Sequence, residues 1–391
     1  GVGMTFGSTL DGTSRVVVVD SGNTTYTGAI GATTAPAHFE TDAAGSSTFS
    51  GGLVRTSSPN SIVIADDAVV TAASTSFDTT NNGALAAGAN ITFAKTLNGS
   101  TNNGQAVTLN AGTNGVVLVS GAIGNTAPLS TLTLTNSYGA TFAAPVSTGT
   151  SVVLTDTVAG QTIRFADNLS TPVLTTTANG YNVELLGTAT NVSAANTATT
   201  FLNTGNLVLG NAAGDTLTFA GGLTATTVNS ISMGGAISTN NAGITLASTA
   251  ITLNANTSLS AGTGAISFNS TVDSAAGTTQ ALSINSTGVT TFNNKVGYTD
   301  ALASLTTNTG GSLVLNAGSI TTTGHQTYGE ATTLAQATTL NAGAGDVTFS
   351  NTVDSATGTT QALTINSTGV TTFNNKVGYT DALASLTTNT G

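Results

Sequence analysis

The residues of this chain that could do chemistry are few and scattered. Seventeen acids, six bases and two histidines are spread over 391 residues, and cysteine is absent. Asp66-Asp67 is the only adjacent acidic pair. Acids gathered on one face are what a polysaccharide-cleaving site needs, because one must protonate while the other attacks or activates water. Consecutive strand residues point to opposite faces, so this pair does not converge if extended, and it reads as a solvated turn. His38 and His325 lie far apart, and neither has a second His or a Cys at ligand spacing. The Gly-Asp nonapeptide that binds calcium in some solenoids is also missing. Asp273 and Asp346 remain as turn carboxylates that could hold an ion weakly. No catalytic, cofactor-binding or metal-ligating residue is assigned.

Three further patterns have a functional and a structural reading. Lys295 and Asp300 recur as Lys376 and Asp381. Placed on one flank they could contact a neighbouring molecule; otherwise they are exposed charges worth little each. Asn110, Asn285 and Asn366 hold equivalent places, and Leu109-Asn110-Ala111-Gly112, Leu315-Asn316-Ala317-Gly318 and Leu340-Asn341-Ala342-Gly343 share a motif. A row of amides could bind a ligand, but an Asn that turns the chain and bonds its counterpart in the next coil explains the pattern better. Thr-x-Thr runs such as Thr131-Thr133-Thr135 and Thr216-Thr218 suggest an ice-binding ladder. They do not fall at one phase of the repeat, and Thr is simply a good strand former.

The elements that must position these residues come from self-similarity. Thr352 to Gly391 repeats Thr271 to Gly310, with only Ala276/Thr357 and Ser283/Thr364 differing. Looser copies begin at Met4 (MTFGSTLDG) and Ile91 (ITFAKTLNG), beside Ile266 (ISFNSTVDS) and Val347 (VTFSNTVDS). Each is followed by a second element bounded by glycines, at Gly22–Gly31, Gly115–Gly124, Gly288–Gly297 and Gly369–Gly378. Self-copying at fixed spacing marks stacked units. Apolar residues alternate in short runs, while helix periodicity is absent. A shorter period lies inside the long one. The step from Phe268 to Phe292 equals that from Phe349 to Phe373, and the step from Phe292 to Leu315 is one position shorter. The matching pair Phe93 and Val119 stands slightly further apart.

This spacing predicts an all-β fold, a parallel β-solenoid, as one solenoid over 1–391 with 1–90 less regular. At about 24 residues per coil it predicts about 16 coils and, at roughly 4.8 Å per coil, a rod on the order of 80 Å long. Phe268 and Phe349 are expected on one column, and Arg15-Val16-Val17-Val18-Val19-Asp20 as a buried strand. A string of small β-sandwiches is the runner-up. It is disfavoured because the signal recurs within each long copy and no linker separates the copies.

Composition restricts the function. Only 6% of residues are charged and the net charge is −11, which excludes a nucleic-acid partner. A hydrophobic fraction of 39% is too high for disorder. No apolar run is long enough for a membrane helix, so no membrane span is expected. The chain opens on Gly1, and Gly391 aligns with Gly310, which continues into another strand; a longer natural polypeptide is expected.

The block GVTTFNNKVGYTDALASLTT from Gly288, with Thr321-Thr322-Thr323-Gly324-His325-Gln326-Thr327-Tyr328 downstream, resembles repeats of giant bacterial surface proteins. These are the filamentous-haemagglutinin-like and autotransporter-like β-strand-repeat proteins. The resemblance covers most of the chain after about residue 90. It implies secretion across an outer membrane and a right-handed parallel β-helix (β-solenoid) displayed outside the cell. The expected function is a structural extracellular fibre or adhesin shaft without catalysis or cofactor. Its expected partners are other copies of itself and host or surface glycans. A cell-surface layer or sheath protein and a carbohydrate-active β-helix enzyme are the alternatives.

Overall fold

The computed structural model describes residues 3–57 and 61–389. Among them there is no helix; the chain winds in short parallel strands through about 17 turns, a β-solenoid. A typical strand has three or four residues with one inward and one outward set, as in Ile266–Phe268 and Val347–Phe349. Apolar residues alternate with Thr, Ser and Asn at period two, so one set stacks inside and the other faces out. The chain divides into two compact units: Gly1–Ser193 with Leu202–Gly205, and Ala194–Phe201 with Asn206–Gly391. Strands before residue 90 also pair in parallel, and that stretch holds one antiparallel bridge, Ser57 to Thr80.

In the first unit, one inward column runs Phe6, Tyr26, Phe49, Val70. Tyr26 stacks on Phe6 at 5.3 Å and on Phe49 at 5.1 Å between ring centroids. Another runs Ile64, Phe93, Val119, Phe142, Phe165, Leu185, which pairs Phe93 with Val119 as their spacing predicts. A third runs Phe77, Leu109, Leu134, Leu154. Each such buried side chain contributes about 1.5–3 kcal/mol by leaving water. The expected buried strand at Arg15 is only half right. Strand Arg15–Val18 alternates, leaving Val17 45% exposed, and Val19 just beyond its end is 75% exposed.

The second unit has three faces that the chain visits in order. Face A carries the column Ala225, Leu246, Phe268, Phe292, Leu315, Leu334. Face B carries Val272, Val296, Ile320, Leu340, Ile365. Face C carries Leu259, Ile284, Thr307, Tyr328, Phe349, Phe373. Phe268 and Phe349 therefore belong to one solenoid unit but not to one column, which corrects the sequence expectation. From Phe268 the chain returns to face A at Phe292, Leu315 and Leu334, each turn shorter than the one before. The stretch from Leu334 to Phe349 then stops short of a full turn and ends on face C. The long repeat is thus not a whole number of turns. The second copy is rotated back by one face.

The glycines that bound the second element of each copy have a structural role. Gly31, Gly124, Gly297 and Gly378 have φ of +74°, +69°, +62° and +60°. The residue before each (Ile30, Ile123, Val296, Val377) makes a single-residue parallel bridge to an adjacent coil. One apolar residue thus secures the corner, and a left-handed glycine turns the chain at little steric cost.

Candidate functional site

The most elaborate surface feature is the corner loop carried by both long copies. In the first, Asp273 Oδ1 accepts from the amides of Thr299 at 2.8 Å and Asp300 at 3.4 Å. Ser274 Oγ donates to Ala301 O at 3.0 Å and accepts from the Gln280 amide at 2.9 Å. In the second, Asp354 accepts from Thr380 at 3.0 Å and Asp381 at 3.5 Å, and Ser355 Oγ donates to Ala382 O at 2.8 Å. Each loop lifts a tyrosine with a lysine over its ring: Lys295 Nζ is 3.7 Å from the Tyr298 centroid and Lys376 Nζ 3.5 Å from that of Tyr379. Tyr298 and Tyr379 are 63% and 70% exposed. One ring face is covered by the ammonium, leaving the other face and the hydroxyl for a flat or polar partner.

The two corners do not share a flank, contrary to expectation. The first lies between Val296 on face B and Ser304–Thr307 on face C; the second lies between Val377 on face A and Ser385–Asn389 on face B. The rotated repeat separates them.

The amides form ladders. Asn366 Nδ2 donates to Asn341 Oδ1 at 2.8 Å, and Asn389 Nδ2 to Asn366 Oδ1 at 2.8 Å. A second ladder joins Asn293 to Asn269 at 2.7 Å and Asn316 to Asn293 at 3.3 Å. The coil-to-coil bonding therefore holds for Asn316, Asn341 and Asn366, but Asn341 and Asn366 lie within strands Thr338–Gly343 and Ala362–Ser367 and do not turn the chain. Asn285 occupies the sequence position of Asn366 but reaches only Ser260 Oγ, at 3.5 Å. Asn110 donates instead to Thr80 Oγ1 at 3.1 Å. Face C also aligns an outward rank of hydroxyls, Ser258, Ser283, Thr306, Thr327, Thr348 and Thr372, in register from coil to coil. This rank comes from mid-strand positions, not from the Thr-x-Thr runs that stand out in the sequence.

The acidic pair separates as strand geometry requires, but Asp66 is not a solvated turn residue. It is 2% exposed and accepts from Thr41 Oγ1 at 2.7 Å and Ser47 Oγ at 2.8 Å. Desolvation pushes its carboxyl up, while the two hydroxyl donors pull the other way. Asp67 points elsewhere and accepts from Thr96 Oγ1 at 2.6 Å. Both remaining turn carboxylates are engaged as well. Asp273 holds its corner, and Asp346 Oδ1 accepts from the Val370 amide at 2.7 Å while His325 Nδ1 accepts the Asp346 amide at 3.0 Å.

One cluster escaped the sequence reading. Arg15, His38 and Ser61 are equally spaced, one coil apart each; Arg15 and His38 pair on adjacent strands, and Ser61 immediately precedes the next strand, Ile62–Ile64. Glu40 Oε2 takes the Arg15 guanidinium at 2.5 Å and His38 Nε2 at 3.0 Å, while Ser61 Oγ lies 3.4 Å from His38 Nδ1. The His38 bond, then the Arg15 bond, holds the Glu40 carboxyl below its ordinary range. Ser, His and Glu in this order are a nucleophile, a base and its orienter. Here, however, they lie on the outward rows of a sheet, and Phe39 N is committed to Ser61 O at 3.2 Å. The equal spacing of one coil was the signal that could have revealed them. Among the described residues, no three His, Cys, Asp or Glu side chains gather where a metal ion could be held, and no helix is long and apolar enough to cross a membrane.

No family model, no curated protein and no solved structure matches this chain.

Proposed function

We propose that the protein is structural: an extracellular fibre or the shaft of a bacterial surface adhesin, with no catalytic role. The observation that carries this reading is the coil-to-coil register of inward Phe, Leu, Val and Ile, which makes each coil the template for the next. Such stacking spreads stability along a chain instead of concentrating it around a site. Sparse charge fits the same role, since like copies packed side by side would repel little. The resemblance to filamentous-haemagglutinin-like and autotransporter-like repeats supports a location outside the cell. The exposed Tyr298 and Tyr379 suit contact with glycans, because tyrosine offers a flat apolar ring with a polar edge.

A surface layer or sheath is the second reading, favoured by the in-register hydroxyl rank on face C, which would suit side-by-side contact. Electron microscopy of purified protein separates these outcomes. Filaments or long rods are expected for a shaft and ordered two-dimensional arrays for a layer; compact globules would defeat both. A polysaccharide-depolymerisation screen should be negative, and product release that depends on Glu40 or His38 would move the assignment to an enzyme.

A further inference from the structure

One coil of the second unit has a polar interior. Along Gln326–Tyr328 and Ala331–Leu334 the inward residues are Gln326, Tyr328, Thr332 and Leu334, and Glu330 sits buried at the corner between the two strands. The first two satisfy each other: Tyr328 Oη donates to Gln326 Oε1 at 2.8 Å, and Gln326 Nε2 donates to Asn341 O at 3.0 Å. Glu330 is different. It is 0% exposed, and neither carboxyl oxygen has a hydrogen-bond partner; the nearby Thr290 Oγ1 is also buried without one. The chain cannot easily back away. A Cβ on Gly329 would collide with Asn308 O, and the Gly329 amide is tied to Thr307 Oγ1 at 3.1 Å.

Among the described residues, no cation pairs with the carboxyl. On its own coil the other titratable groups are Tyr328, bonded to Gln326, and His325, which is 67% exposed and turned to Asp346. The preceding strands, Ala281–Ser286, Val289–Phe292, Ser304–Thr307 and Ser312–Leu315, bring none, and the corner between the second and third carries Lys295, Tyr298 and Asp300 with the lysine seated on the tyrosine ring. The following coil brings Asp346 and Asp354, whose carboxylates accept from Val370 and Thr380 amides. Desolvation dominates and pushes the carboxyl up to about 7; the hydroxyls of Thr307 and Thr290 lie near enough to favour the charged form but make no hydrogen bond to it. An unpaired buried charge is among the costliest things a fold can hold, so such a group stays protonated where it can.

We propose that Glu330 makes the coil from Gln326 to Leu334 a pH-sensitive joint, closed while the carboxyl is neutral and loosened once it ionises. The linkage sign follows from the raised value. The unfolded carboxyl ionises near its ordinary 4.5 and the folded one near 7. The stabilising contribution is therefore complete below pH 4.5 and is lost as pH rises through 7.

The test is hydrogen exchange followed coil by coil from pH 5 to 8, corrected for the intrinsic pH dependence of exchange. Protection in Gln326–Tyr328 and Ala331–Leu334 should fall on the order of a hundredfold across that range in the native protein. In Glu330→Gln it should stay flat. Equal pH dependence in both proteins overturns the proposal. Infrared spectroscopy of the native protein provides a check that needs no variant. A protonated-carboxyl band should persist at pH 6, where ordinary carboxylates are ionised. Its absence, or restored protection at pH 8 on adding calcium or sodium, would mean a charged carboxylate held by a bound cation and would also overturn it.

Discussion

The two long copies of the repeat are nearly the same sequence in two different places. Their local structures agree. Both corners use Asp and Ser in the same hydrogen bonds, both seat a lysine on a tyrosine, and both turn on a left-handed glycine. Their surroundings do not agree. Phe292 ends the first copy's Val289–Phe292 on face A, while its counterpart Phe373 lies on face C. A face of this solenoid demands only inward apolar and outward small polar residues at the strand spacing. All three faces make the same demand, so one block can be laid on any of them.

The largest effect expected concerns the core. Phe349 lies between Tyr328 at 4.8 Å and Phe373 at 5.2 Å, whereas Phe268 stacks only on Phe292, at 4.9 Å. Phe349→Ala should destabilise its coils by about 3–5 kcal/mol, and Phe268→Ala by the lower part of that range. Coil-resolved hydrogen exchange measures both, and the reverse order would show that face identity does not decide the cost.

A smaller difference separates the glycines. A Cβ at Gly297 would collide with Thr321 O in the next coil, while at Gly318 the nearest atom is Gln336 Nε2 at 3.5 Å. Both residues have positive φ, so alanine costs about 1–2 kcal/mol at either from backbone strain. Only Gly297→Ala adds the clash, and its midpoint in a denaturant titration should fall clearly below that of Gly318→Ala. Equal midpoints would mean that the neighbouring coil yields.

The smallest concerns the amides. Asn366→Ala breaks two hydrogen bonds of 2.8 Å and should cost about 1–2 kcal/mol. Asn285→Ala loses one 3.5 Å contact and should cost a few tenths. The same measurement on both variants decides whether the position in the repeat or the partner in the next coil sets the value.

The parallel coils were legible because period-two alternation, left-handed glycines and apolar residues one coil apart each leave a direct trace in sequence. Phe93 with Val119 and Phe292 with Leu315 pair as their spacing says. The rotation of the second copy was not legible, because it depends on adding three unequal coil lengths, the shortest of them between Leu315 and Leu334. Similarly, Arg15, His38 and Ser61 meet because their coils happen to be equally long, which no local motif records. Burial of Asp66 was missed since one residue's phase decides whether a turn acid faces in or out.

Sequence alone determined that this chain is all-β, builds parallel coils and turns at particular glycines, because strand alternation and backbone sterics act within a few residues. Tertiary structure alone decided which face each copy occupies, which asparagines find partners and that Glu330 is enclosed without one. Those outcomes depend on what lies one coil away. That distance is set by the lengths of all the loops between, and no single stretch of residues contains it.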